Sequence, residues 1–374
     1  MRIPLCEPYI KGNEWKYIKD CLDTNWVSSV GTYVNKFEEL VSDYIGVNYG
    51  VATVNGTAAI HTALMVLGVG PGDKVLVPSL TFIASVNPIC YCGAEPVFID
   101  SEVNTFNIDP EKTIDKIEQM VKKGNKPKAV IVVHLYGHPA DIDPIAEVCK
   151  KYDIKLIEDA TEALGSKYKG RMVGSLGDIA CFSFNGNKLI TTGGGGMLVT
   201  NNKKWADHAR YLIQQAKDDP ENFIHNNIGY NYRLTNIQAA LGVAQFENIE
   251  EFIESKRTTA MTYNKLLSKI PGITVNPEME WAYNCFWLYS ILIDEKEFGI
   301  NSKTLLEKLN LRGVMARPFF KPLHHMPMFR KYDADIHVAD WLWERGLNLP
   351  CSVGITLEEI QQVVDTICEI REEK

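Results

Sequence analysis

Short apolar runs alternate with segments of helical period through the first two thirds of the chain. The strand-like runs fall at 75–77, 96–99, 129–133, 155–157, 179–184 and 197–200. Between them, 57–67, 110–122 and 144–151 carry apolar residues at helical spacing. This alternation predicts an α/β fold, a mostly parallel sheet covered by helices on both faces. Ligands of such sheets bind beyond the carboxyl ends of the strands. A longer helical pattern, 235–270, includes Phe246, Ile249, Phe252 and Ile253 and reads as a connector. Beyond 272, strand-like stretches at 286–293 and 313–317 and helical ones at 302–309 and 357–372 predict a smaller α+β lobe. The expected division is a large domain over 1–250 and a small one over 251–374.

Composition narrows the function classes. The 374 residues are 45% hydrophobic and 23% charged, which suits a folded chain with a sizeable core. The 39 Lys and Arg against 47 Asp and Glu give a net charge of −8, and no basic run interrupts this balance. That argues against a nucleic-acid partner while leaving room for a local pocket for one phosphorylated ligand. No apolar stretch reaches the roughly 18 residues of a membrane span. The first residues also lack the apolar segment of a secretory signal. The expectation is a cytoplasmic protein without a membrane anchor. Nine cysteines are scattered, and the nearest pair, Cys90 and Cys92, has C-x-C spacing rather than the C-x-x-C of a zinc or redox site. They read as reduced thiols, with no metal site.

Three segments carry candidate chemistry. In 181–197 a strand enters a polar turn with one lysine, Lys188, and then meets Gly193 to Gly196. This is not G-x-G-x-x-G, and it leads into the strand-like run at 197–200 rather than a helix, so a dinucleotide site is disfavoured. A lysine shielded at a sheet edge loses its proton readily and attacks carbonyls to form a Schiff base. In the second segment, Glu158 and Asp159 end a buried strand. Adjacent strand residues point to opposite faces, so the two acids have different jobs. Asp159 suits either a helix N-cap or the partner of a protonated ring nitrogen. In the third, Asn55-Gly56-Thr57-Ala58 opens a helix whose first amides favour an anion such as phosphate. Phe82, just past the strand at 75–77, is placed either for the core or to stack on a planar ring.

Taken together, these segments resemble the DegT/StrS-type sugar aminotransferases, pyridoxal-phosphate enzymes of fold type I. The likeness also runs through Trp26-Val27-Ser28-Ser29-Val30-Gly31, Val133-His134-Leu135-Tyr136-Gly137-His138, Gly229-Tyr230-Asn231-Tyr232-Arg233, Pro322-Leu323-His324 and Leu347-Asn348-Leu349-Pro350. The resemblance implies that Lys188 joins the cofactor covalently and that Asp159 pairs with its pyridine nitrogen. It places Glu162 near the ring hydroxyl, Phe82 on the ring, and Gly56, Thr57, Ala58 and Ser183 on the phosphate. Asn231 would reach the phosphate from a partner subunit, which makes a homodimer part of the site. Trp26, Ser28, His134 and His324 become candidate substrate contacts. Many relatives carry Gln where Glu162 stands and Glu where Gly194 stands.

The activity implied is transfer of an amino group from L-glutamate to a nucleotide-linked keto sugar, for surface polysaccharide or glycan biosynthesis. Carbon 4 of a 4-keto-6-deoxy sugar is favoured over carbon 3. Asn185-Gly186-Asn187-Lys188 leans toward UDP-linked substrates and Arg317-Pro318-Phe319-Phe320 toward GDP-linked ones, so the base stays open. A related dehydratase branch has histidine at the lysine position, and Lys188 therefore favours transamination. An NAD-dependent dehydratase or epimerase would need an early strand–G-x-G-x-x-G–helix unit, which the chain lacks. A non-catalytic regulator would not need both Lys188 and Asp159.

Overall fold

The computed structural model describes residues 2–275, 278–332 and 334–373. Two helices, α1 (Glu14–Asp23) and α2 (Thr32–Ile45), precede β1 (Tyr49–Thr53). Next come α3 (Gly56–Val66), β2 (Lys74–Pro78), α4 (Asn87–Tyr91), β3 (Glu95–Ile99), α5 (Pro110–Lys122), β4 (Ala129–Val133), α6 (Asp143–Tyr152) and β5 (Lys155–Asp159). A small hairpin, β6 (Lys167–Tyr168) and β7 (Arg171–Met172), leads to β8 (Ile179–Ser183), β9 (Gly196–Thr200) and α7 (Lys203–Ile213).

The seven long strands form one sheet in the order β1-β9-β8-β5-β4-β2-β3. Only β9 runs against its neighbours. Residues 129–133 are buried throughout, as a strand covered on both faces requires. All six strand-like runs are strands. β1, however, has no apolar signal of that strength, because Gly50 and Ala52 have low strand propensity. It joins the sheet through its five-residue register with β9.

The 235–270 pattern is two helices, α8 (Asn236–Phe246) and α9 (Ile249–Leu267). At the break, the Asn248 side chain donates to the Ala244 carbonyl at 3.3 Å and competes with the backbone ladder. The C-terminal part holds β10 (Ile273–Val275), β11 (Ala282–Tyr283), β12 (Tyr289–Ile293), α10 (Glu295–Phe298), α11 (Ser302–Leu311), β13 (Arg317–Pro318), α12 (Val338–Arg345), β14 (Gly346–Leu349) and α13 (Leu357–Glu372). Its antiparallel sheet has the order β10-β12-β14-β13, while β11 pairs with the β6–β7 hairpin. The expected strand over 286–293 begins only at Tyr289, since Phe286 takes a positive φ of 50° that breaks the extended run. The one over 313–317 shrinks to Arg317–Pro318, and Val314 instead bridges Ile3.

One continuous set of buried apolar residues runs from Val51 and Val75 in the large sheet to Tyr289, Leu347 and Ile367 in the C-terminal part. No helix among the described residues is long and apolar enough to cross a membrane. All nine cysteines are free, and five of them (Cys21, Cys149, Cys181, Cys285 and Cys351) are buried.

Candidate active site

A cleft of about 300 Å³ opens at the carboxyl ends of β2, β4, β5 and β8. Asp159 is the last residue of β5 and is buried. Its Oδ2 accepts from Ser85 Oγ at 2.6 Å and its Oδ1 from the Thr161 amide at 3.2 Å. No helix begins after Asp159, so the N-cap reading falls away and the carboxylate faces the cleft. Glu158 points the other way, as strand alternation requires. It accepts from the amides of Gly174 (2.8 Å), Leu176 (2.7 Å) and Gly177 (2.7 Å), and lies 3.1 Å from His134 Nε2.

Lys188 sits in the tight turn after β8, where its amide bonds the Asn185 carbonyl at 3.0 Å. The side chain is 13% exposed, with Nζ 3.7 Å from Glu162 Oε1 and 3.6 Å from the centre of the Trp287 ring. Burial pushes its amine below the ordinary lysine value, opposed by the carboxylates of Glu162 and Asp159. A lysine with that tendency is suited to nucleophilic attack on a carbonyl. Burial also pushes the Glu162 carboxyl up to about 7, against the pull of Lys188 and of the Tyr136 amide, which donates to Oε2 at 2.8 Å.

The N-terminus of α3 closes one end of the cleft. Asn55 caps it by accepting from the Ala58 amide at 2.8 Å. That bond engages the Ala58 amide, and Ala58 is not among the residues that line the cleft. Gly56 and Thr57 line the cleft beside Ser183. A Cβ on Gly56 would sit 2.9 Å from Ser183 Cβ, so only glycine leaves this cradle open. Phe82 is half exposed into the cleft, its ring centre 5.6 Å from that of Phe320. A lysine for a carbonyl, a carboxylate for a ring nitrogen, an exposed aromatic face and a helix N-terminus are the donor set of pyridoxal phosphate. The residues present fit that group.

The candidate substrate contacts fare differently. His134 is fully buried; its Nδ1 accepts from the Ala140 amide at 3.0 Å, which leaves Nε2 to donate to Glu158. It packs behind the sheet edge and does not reach the cleft, which corrects the expectation. His324 is held by Ser79 Oγ at 2.8 Å and faces Asp340, outside the cleft lining. Trp26 lies on a separate groove with Arg233 and Asn236, and the Ser28 carbonyl accepts from the Asn236 amide at 2.6 Å. Asn231 is exposed and bridges Gln214, also away from the cleft of its own chain. Sequence reasoning missed Ser85, Trp287 and Phe320. Ser85 follows Phe82 closely enough to be found, whereas Trp287 arrives from the C-terminal part with no local signal and Phe320 belongs to the 317–320 segment, read in the sequence only for the substrate's base.

Residues 8–368 match the DegT/DnrJ/EryC1/StrS aminotransferase family. A GDP-perosamine synthase from Caulobacter vibrioides is 40% identical over 371 residues, 99% of this chain and 98% of that protein. Among solved structures, Helicobacter pylori PseC, an aminotransferase involved in the biosynthesis of pseudoaminic acid, has a TM-score of 0.92 at 25% identity over 100% of both chains. DesI, solved in the presence of its TDP-sugar product, has a TM-score of 0.90 at 29% identity over 99% of this chain and 93% of that one. With the lysine, the carboxylate and the helix end meeting in one cleft, and the match running nearly end to end, the chain belongs to the DegT/DnrJ/EryC1/StrS aminotransferase family.

Proposed function

We propose that this aminotransferase moves an amino group from L-glutamate to C4 of a nucleotide-linked 4-keto-6-deoxy sugar. The observation that carries the chemistry is the convergence of Lys188, Asp159 and the α3 N-terminus on one cleft. The name of the Caulobacter relative makes the GDP-linked sugar the first substrate to test. When bound, pyridoxal phosphate supplies an electron sink for the carbanion formed at the amino donor's Cα.

The chain's own residues do the rest. Asp159, oriented by Ser85, would hold the ring nitrogen protonated. Gly56, Thr57 and Ser183 hold the phosphate at the helix end. Phe82 covers one ring face. With the cofactor bound, Lys188 would move the proton from the donor's Cα to the cofactor in the first half of the cycle and from the cofactor to the sugar carbon in the second. Trp287 and Glu162 hold its amine in place between these tasks. In this reading Asn231, Trp26 and Ser28 face the cleft of a second subunit, and His324 lies at the sugar end. Domains over 1–250 and 251–374 would then close around the substrate.

The test is direct. Enzyme incubated with glutamate and GDP-4-keto-6-deoxymannose yields a C4 amine by NMR and obeys ping-pong kinetics. An amine at C3, or a product only with a UDP- or TDP-linked sugar, would overturn that part of the proposal. Lys188→Ala abolishes turnover, and borohydride reduction fixes the cofactor to Lys188 in the parent only. Trapping at any other lysine defeats the assignment.

A further inference from the structure

Residues 3–7 form a strap pinned to the C-terminal part. Ile3 bonds Gly313 (2.8 Å), the Met315 amide bonds Ile3 (2.9 Å), the Cys351 amide bonds Leu5 (2.8 Å), and the Glu7 amide bonds Ser352 Oγ (3.0 Å). This strap delivers Cys6 Sγ to 3.3 Å from Lys256 Nζ and 3.3 Å from the Asn187 carbonyl. Lys256 is only 1% exposed. Its other partners are the carbonyls of Trp287 (3.0 Å) and Cys351 (2.5 Å) and the Cys351 sulfur (3.7 Å). Among the described residues, no carboxylate lies within ion-pair distance of it. A buried ammonium without a counter-charge is costly, and the acidic groups beside it are two thiols. Cys351 is fully buried, and its sulfur lies farther from the ammonium than that of Cys6, 3.7 Å against 3.3 Å. Cys6 is half-buried and lines a cavity of about 510 Å³ with Arg2, Arg317 and Glu7 on its wall. The Asn187 carbonyl keeps the Trp287 indole N–H as donor at 2.7 Å when Cys6 gives up its proton.

We propose that Cys6 is a thiolate that forms a mixed disulfide with an anionic low-molecular-weight disulfide entering beside Arg2 and Arg317. The Cys6 sulfur attacks one sulfur of that disulfide. A new S–S bond forms, the old one breaks, and the other half leaves as a thiolate that takes a proton from water. Cys6 is oxidised and the departing half is reduced. The adduct cannot share the space between Cys6 and the Asn187 carbonyl, so it displaces the turn that carries Lys188. The direction of the thiol equilibrium agrees with the geometry. The neighbouring Cys351 thiol and the Lys256 ammonium lower Cys6 to about 5 against its burial, whereas burial raises the exposed Cys90 above its ordinary value.

Native protein is treated at about pH 6 with oxidised glutathione, or with cationic cystamine, and adducts are mapped by peptide mass spectrometry. The gain in thiolate fraction, less the lower nucleophilicity of an acidic thiol, makes Cys6 react about tenfold faster than Cys90. Normalised to Cys90, Cys6 prefers oxidised glutathione over cystamine, and the double variant R2Q/R317Q loses that preference. Lys256→Met abolishes the rate advantage. Should that variant fail to fold, the pH profile of native protein decides, with the Cys6 rate levelling off where that of Cys90 still climbs. Turnover falls in proportion to the adduct and returns with dithiothreitol, while Cys6→Ser stays active and insensitive. Cys90 reacting as fast as Cys6, or a Cys6 rate that tracks pH as Cys90 does, overturns the thiolate. A full adduct with unchanged turnover overturns the link to Lys188 and leaves the aminotransferase reading intact.

Discussion

At the scale of single residues, the cleft is set by where side chains are missing as much as by where they point. A Cβ on Gly196 would lie 2.4 Å from the Asn55 backbone, the cap of α3, whereas one on Gly194 meets nothing nearer than 3.9 Å. Gly196→Ala is therefore expected to cost about 1–3 kcal/mol by overpacking and to weaken cofactor retention, while Gly194→Ala leaves both unchanged. Urea unfolding and cofactor titration check the pair. Glu162 gives a pH effect of defined sign. Its folded-state value near 7 lies above the ordinary 4.5, so its stabilising contribution is complete below 4.5 and is lost as pH rises through about 7. Thermal unfolding of cofactor-free protein should show this loss, and Glu162→Gln should flatten it. The sequence exposed Lys188 and Asp159 because each stands where a buried strand meets a polar turn. It misjudged His134, which follows β4 as Asp159 ends β5 but turns its side chain back onto Glu158.

Elements are joined here by caps that come from elsewhere in the chain. α12 receives no side-chain cap from its own first residue. Asp100, just past β3, instead accepts from the amides of His337 (3.0 Å), Val338 (3.0 Å) and Ala339 (2.8 Å), and from Lys112 Nζ at 2.6 Å. Burial alone would raise this carboxyl, but Lys112 and the three amides outweigh it and hold it below the ordinary value of 3.8. The tie is thus present above 3.8 and lost as pH falls through the lower folded-state value. Asp100→Ala should cost about 2–3 kcal/mol in unfolding by denaturant, the scale of a charged hydrogen bond, and should steepen the temperature dependence of activity. The helix pattern of α12 could be read from sequence only weakly, and its cap not at all, because the acceptor lies more than two hundred residues away. By contrast, α5 and α13 were legible from end to end, each carrying its own cap (Asp109 and Thr356).

For the whole molecule, the placement of Asn231, Trp26 and Ser28 outside their own cleft makes assembly the sharpest question. If Asn231 completes a neighbour's phosphate site, Lys188→Ala and Asn231→Ala proteins, each inactive or nearly so, should regain activity when unfolded and refolded together, since every mixed dimer holds one intact site. No recovery, with mixed dimers verified by mass, would place Asn231 in its own subunit or nowhere near the cofactor. The sheet order shows why the cleft lies where it does. Parallel β8, β5, β4 and β2 end on one side, and β9 returns antiparallel to bring the glycine run against Asn55.

The sequence by itself determined the layers, six of the seven strands of the central sheet, the lysine, the aspartate and the helix end. These are local facts, written in apolar period and in the change from buried strand to polar turn within a few residues. Tertiary structure alone decided that Trp287 and Phe320 wall the cleft, that Ser85 aims Asp159, and that Cys6 meets Lys256. Each of these depends on a contact between distant segments, and its energy comes from a partner that no local pattern of residues can specify.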